Sequence, residues 1–194
     1  MVDDGQRLAC FDRAADADPG VNSANQKLSV EAGTSKPTIV PPPSKTDTKA
    51  GVWEIGRQRS EIAGTDDVFL SVWGTPYRGR YGKNVVPVLW VRCHEKKTGV
   101  MVVWGSYLGL DETRVEWRID EGGRSTGSWR ISSDREAVGL WTGASAIPFI
   151  RTLLGKNRIA MRVIPYGEDP AETVFPITGL DKQIGEVKSA CGWK

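Results

Sequence analysis

The chain has 194 residues, 39% of them apolar, and a formal charge of +2 from 26 basic and 24 acidic side chains. That near-balance removes the electrostatic case for nucleic acid or an acidic membrane surface as a partner. No apolar run approaches the roughly 20 residues that a membrane-spanning helix needs, and the apolar content suits one core of ordinary size.

Residues 1–17 read as a short N-terminal helix, with Leu8, Phe11 and Ala15 near one stripe and acidic residues at the start. A helix this short does not persist alone, so it is expected to dock or fray. Over 18–50 the composition turns to Pro, Ser, Thr, Asn, Lys and Gly around Pro41-Pro42-Pro43, the pattern of a flexible, extended linker. The start Met1-Val-Asp-Asp-Gly has neither the basic opening nor the apolar stretch of a signal peptide. This fits either a cytoplasmic protein or an exported one whose signal is not in this chain.

The globular domain is expected over 51–194. It opens at Val52-Trp53-Glu54-Ile55, and Val68, Leu70 and Val72 then alternate against Phe69, Ser71 and Trp73. Pro87 to Gly105 predicts a hairpin of strands Val88–Cys93 and Val100–Trp104, joined by a polar turn that closes on Gly99. Both faces of this hairpin are apolar, which places it deep in a sheet. Arg114–Asp120 alternates strictly, with Val115, Trp117 and Ile119 inward, as an antiparallel strand solvated on one side does. Further strands are expected over Gly127–Ser132, Arg158–Ile164 and Glu172–Ile177. Two stretches take helical spacing late in the chain: Ser145–Leu154, with Ser145 as N-cap, Pro148 in the first turn and Gly155 as the stop, and a last helix from about Leu180. About seven strands, two late helices and no βαβ rhythm predict a mainly β domain, a β-sandwich or barrel-like antiparallel sheet covered by the helices.

Chemistry is sparse. No HExxH, GxSxG or Gly-rich phosphate motif occurs, and the single histidine, His94, adjoins Cys93 on a strand, where neighbours point to opposite faces. The carboxylate pairs Asp66-Asp67, Asp111-Glu112 and Asp120-Glu121 sit at strand ends and turns, where such residues are commonly solvated. No catalytic residue, metal ligand or cofactor is expected. The most site-like segment is Tyr77-Arg78-Gly79-Arg80-Tyr81, whose tyrosines and arginines on a glycine-bearing loop suit contact with a glycan, peptide or acidic partner. The three cysteines, Cys10, Cys93 and Cys191, lack metal-ligand spacing. Cys93 and Cys191 fit either two buried thiols or a disulfide, and the latter requires an oxidising compartment. Closing a loop of about 98 residues would contribute on the order of 4–5 kcal/mol.

In order, Arg7-Leu-Ala-Cys-Phe-Asp12, Asp66-Asp67, Pro87-Val-Leu-Trp-Val-Arg-Cys93, Val115-Glu-Trp-Arg-Ile-Asp120, Trp129-Arg-Ile-Ser-Ser-Asp134, Phe175-Pro-Ile-Thr-Gly-Leu180 and Ala190-Cys-Gly-Trp193 resemble the type VI secretion-associated VasI/TagO-like family almost end to end. The resemblance implies an exported, accessory envelope protein, and a further cysteine upstream of Cys10 that would pair with it. Together these observations give a working expectation: a non-enzymatic periplasmic or otherwise exported module, stapled by Cys93–Cys191. It would bind a protein of a secretion apparatus or the cell wall, with Tyr77, Arg78, Arg80 and Tyr81 as the contact surface. The alternatives are a glycan- or peptide-binding module and a peptidoglycan-modifying enzyme outside a secretion system.

Overall fold

The computed structural model describes residues 53–193. The helix expected over 1–17, the linker over 18–50 and Cys10 lie outside the described residues.

Nine strands form one antiparallel sheet: β1 (Glu54–Ser60), β2 (Thr65–Trp73), β5 (Val88–His94), β6 (Lys97–Val103), β7 (Glu112–Ile119), β8 (Ser125–Ile131), β9 (Ala137–Leu140), β10 (Arg158–Val163) and β11 (Ala171–Pro176). The order across the sheet is β1-β2-β5-β6-β9-β8-β7-β10-β11. A two-stranded ribbon, β3 (Tyr77–Arg78) with β4 (Asn84–Val85), interrupts the β2–β5 connection. The helices are α1 (Gly143–Leu153) and α2 (Leu180–Cys191).

The alternation that marks the strands also sorts the two faces. Val68, Leu70 and Val72 on β2, Leu89, Val91 and Cys93 on β5, Val100 and Val102 on β6, and Ile159, Met161 and Val163 on β10 are buried on the inner face. The helices close that face. α1 places Ala146, Phe149, Ile150 and Leu153 against β6 and β9, and α2 places Leu180, Ile184 and Val187 against β2, β5 and β6. Trp129, Phe149 and Trp117 pack ring on ring, with centroids 5.1 to 6.1 Å apart.

The sheet curls until its far edge meets the chain leaving β2. Thr75 donates its backbone N–H to the Val174 carbonyl at 3.0 Å, and its side-chain oxygen accepts the Val174 N–H at 2.9 Å. Gly74 permits this approach, since a Cβ there would stand 2.3 Å from Thr173 Oγ1 and 2.8 Å from the Phe175 ring. This contact makes the sheet barrel-like.

α2 is fastened to the sheet by the Cys93–Cys191 disulfide, which spans 98 residues of sequence. The Arg57–Glu186 ion pair at 2.9 Å and a bond from Lys96 Nζ to the Ala190 carbonyl at 3.0 Å reinforce it.

Three local expectations are corrected. The β5–β6 turn does not run to Gly99; Glu95 and Lys96 make it alone, both at positive φ, and Gly99 pairs with Arg92 inside the ladder. Asp67 stabilises this tight turn by accepting the Glu95 N–H at 2.9 Å. α1 begins at Gly143 after Thr142, so Ser145 lies within the first turn and Pro148 in the second. About seven strands were expected and eleven are present among the described residues: β9 reads Ala-Val-Gly-Leu, too short and too uniformly buried to alternate, and β3 and β4 are only two residues each.

Candidate functional site

Antiparallel connectivity gathers four connections at one end of the sheet: 74–87 between β2 and β5, 104–111 between β6 and β7, 132–136 between β8 and β9, and 164–170 between β10 and β11. Backbone bonds tie them into one surface. Trp104 N–H donates to Glu136 at 2.8 Å, Leu108 N–H to Arg135 at 2.9 Å, and Tyr166 N–H to Tyr107 at 2.9 Å. All four tyrosines of the chain, Tyr77, Tyr81, Tyr107 and Tyr166, fall at this end.

Their roles differ. Tyr77 is half-buried, its ring 6.0 Å from that of Trp104, and its hydroxyl bonds the Trp104 carbonyl at 2.8 Å and Ser106 Oγ at 2.9 Å. Burial pushes its pKa above the ordinary value; the Ser106 bond opposes this and the nearby Glu168 charge adds to it. Tyr77 therefore braces the loop, while Tyr81 is presented from it. Tyr81 is 85% exposed at a φ of 61°, and the Arg80 guanidinium lies 5.1 Å from its ring centre. Arg78, Arg80 and Tyr81 line a depression of about 440 Å³ that Glu168 and Asp169 close from the β10–β11 connection. Opposite charges thus face each other across an open cleft.

The sequence reading missed the other half of this surface. Tyr166, 73% exposed, meets Tyr107 edge-on at 5.9 Å, and Arg135 donates to the Tyr107 hydroxyl at 3.3 Å. Leu110 and Ile164 stand exposed beside them in the same connections. One signal was available: every tyrosine sits within two residues of a Gly or Pro, as in Pro165-Tyr166-Gly167, which marks the segments that carry them as turn-bearing connections.

The carboxylate pairs are dispersed among other tasks. Asp66 pairs with Arg59, and Asp67 with His94. Asp120 accepts two backbone N–H groups, and Glu121 pairs with Arg118 and Arg158. Among the described residues no group of three or more His, Cys, Asp or Glu is arranged to hold a metal ion. What the loop end offers is contact: exposed rings, guanidinium groups and two carboxylates on a braced frame.

The family model described as Type VI secretion system VasI, EvfG matches residues 1–193. The chain belongs to this family. It is therefore a type VI secretion-associated VasI protein, matched over essentially its whole length. No curated protein matches it. Among solved structures, invasion associated protein b from Bartonella henselae is similar at 14% identity and a TM-score of 0.48, over 72% of this chain and 92% of that one. Within this VasI protein no described helix is long and apolar enough to cross a membrane.

Proposed function

We propose that this VasI protein is an exported, non-catalytic accessory of type VI secretion that engages a protein of that apparatus through its loop end. The observation that carries the reading is the clustering of all four tyrosines there, with Tyr81 and Tyr166 exposed beside Arg78, Arg80 and Arg135. Tyrosine supplies large contact area at small entropic cost, and arginine is the charged residue most enriched at binding hot spots. Tyr77 holds the frame and Arg78, Arg80 and Tyr81 meet the partner. Glu168 and Asp169 keep the cleft from being simply cationic, which favours a partner carrying both signs of charge. Export is supported by the Cys93–Cys191 disulfide, because structural disulfides persist in oxidising compartments.

The test is complementation of a deletion strain, scored by release of the apparatus's secreted components. The expected outcome is reduced secretion on deletion, rescue by wild type, and failure of rescue by the triple variant Arg80→Ala, Tyr81→Ala, Tyr166→Ala at equal protein level. Secretion untouched by the deletion would refute the role, and full rescue by the triple variant would refute the surface. Peptide mapping of the protein from the periplasmic fraction, without reductant, should return the Cys93–Cys191 pair.

A further inference from the structure

The outer face of the sheet is divided in two. Over β7, β10 and β11 each arginine meets a carboxylate: Arg114, Arg124 and Arg162 converge on Glu116, Arg162 also pairs with Glu172, and Arg118 and Arg158 share Glu121. On this half every one of these arginines already has a carboxylate partner.

The other half, over β2, β5, β6 and β9, is built differently. Phe69 lies across Gly56, where a Cβ would come within 1.8 Å of the ring, and Trp141 lies across Gly139, where a Cβ would meet the indole at 2.8 Å. Both rings are laid down on the backbone. Trp90 stacks beside Phe69, with centroids 5.0 Å apart, and shares a cross-strand row with Met101 and Gly139. Two strand spacings separate Trp90 from Gly139, about 10 Å, comparable to the length of a disaccharide.

Between these rings stands Arg92, half-buried, its guanidinium 5.5 Å from the Trp141 ring centre. Neither Arg92 nor Arg130 forms a hydrogen bond or ion pair through its guanidinium with any described residue. Burial lowers the Arg92 pKa, against the opposing charge of Asp67, which is itself bonded to His94 and to the Glu95 N–H. Asp134, which shares the depression of about 560 Å³ containing Arg92, Arg130 and Trp141, is committed to Ser132 and the Glu136 N–H. Two guanidinium groups that no described carboxylate bonds, one of them partly desolvated against the Trp141 ring, are complementary to an anion from outside.

We propose that this face binds a carboxylate-bearing glycan strand of the cell wall, with sugar rings on Trp90 and Trp141 and acid groups seated on Arg92 and Arg130. Flat rings pinned to strands suit the C–H face of a pyranose, whose weak positive charge meets the negative π face. None of the exposed large apolar side chains among the described residues lies on this face, so it has no anchor to insert into a protein pocket. The inference rests on the export proposed above, and it gives the protein a wall-facing side distinct from the loop end.

The test is co-sedimentation of the purified full chain with purified peptidoglycan sacculi, which requires no secretion system, so its failure is separable from failure of the secretion reading. Wild type should sediment. Binding should fall at least fivefold for Arg92→Gln with Arg130→Gln, for Trp141→Ala, and for wild type on sacculi whose carboxylates have been amidated. The double Gln variant leaves the core intact, and its melting temperature should match wild type. Tyr81→Ala with Tyr166→Ala should bind sacculi as wild type does. The proposal is overturned if wild type stays in solution, if the double Gln variant binds fully, if amidation has no effect, or if the tyrosine variant is the one that loses the wall.

Discussion

The indole N–H of Trp193 donates to Thr98 Oγ1 at 2.6 Å, and Thr98 stands directly opposite Cys93 in the β5–β6 ladder. Cys93 is in turn bonded to Cys191, two residues before Trp193. The end of α2 is thus held at both members of one cross-strand pair, by a covalent bond on one strand and a hydrogen bond on the other. Thr98 is buried, so without the indole its hydroxyl would be left in the interior unpaired.

Replacing both cysteines, Cys93→Ser with Cys191→Ser, is expected to lower unfolding free energy by roughly 4 kcal/mol, from the restored freedom of the 98-residue loop. Trp193→Phe should cost about 1 kcal/mol through the lost bond to Thr98. Because the two attachments are neighbours, the triple variant should lose less than their sum. Urea titrations with and without reductant measure all three, and a midpoint indifferent to reductant would refute the first expectation.

Tyr77→Phe removes a hydroxyl that bonds both the Trp104 carbonyl and Ser106, and should destabilise the domain by about 1–2 kcal/mol. The pH dependence has a definite sign. Burial raises the folded-state pKa above the ordinary 10.0, so the folded chain holds this proton more tightly than the unfolded one. That contribution is complete below pH 10 and is lost as pH rises through the folded value. Unfolding measured from pH 8 to 11 should fall more steeply for wild type than for Tyr77→Phe, and parallel slopes would count against it.

The parts of this molecule that were legible in the sequence are those governed by period. Val115, Trp117 and Ile119 alternate because one face of β7 is solvated, and Leu180, Ile184 and Val187 recur at helical spacing because one side of α2 meets the sheet. Period is silent on β9, whose four residues are buried or nearly so on both sides, and on the Glu95-Lys96 turn, where the Asp67 side chain supplies a stabilising bond from another strand. The loop end was half legible. Tyr77 to Tyr81 are contiguous, whereas Tyr107 and Tyr166 join them only through the fold, 59 residues apart in sequence but with rings 5.9 Å apart. Pairing of arginines across strands is equally invisible before the register is known, which is why Arg92 and Arg130 did not stand out from the other arginines.

Gly139→Ala tests whether the outer rings are pinned as described. The new methyl would meet Trp141 Cε2 and Cζ2 at 2.8 Å and the Val100 carbonyl at 2.9 Å, and the backbone oxygen cannot move aside. Overpacking of this kind costs about 1–3 kcal/mol. Gly123→Ala, with nothing within 4 Å of its Cβ, is the control and should change the melting temperature little. Quenching of Trp141 fluorescence should also change in Gly139→Ala alone, because its ring must lift off the sheet.

Asp120 and Glu121 both tie the β7–β8 turn to β10. Asp120 Oδ1 accepts the backbone N–H groups of Asn157 and Arg158, both at 3.0 Å, from a backbone φ of 46° that Asp and Asn tolerate better than most residues. Glu121 meanwhile grips the Arg158 side chain at 2.6 Å, so the pair clamps the β7–β8 turn onto the start of β10 from two directions. A carboxylate oxygen that accepts two main-chain donors is held as a fixed post between the β7–β8 turn and β10. Asp120→Asn retains the accepting oxygen and the tolerance for positive φ, and should cost under about 1 kcal/mol. Asp120→Ala loses both bonds and adds backbone strain, for about 2–3 kcal/mol. Equal destabilisation of the two variants in urea would mean that charge, not the two accepted bonds, is what Asp120 contributes.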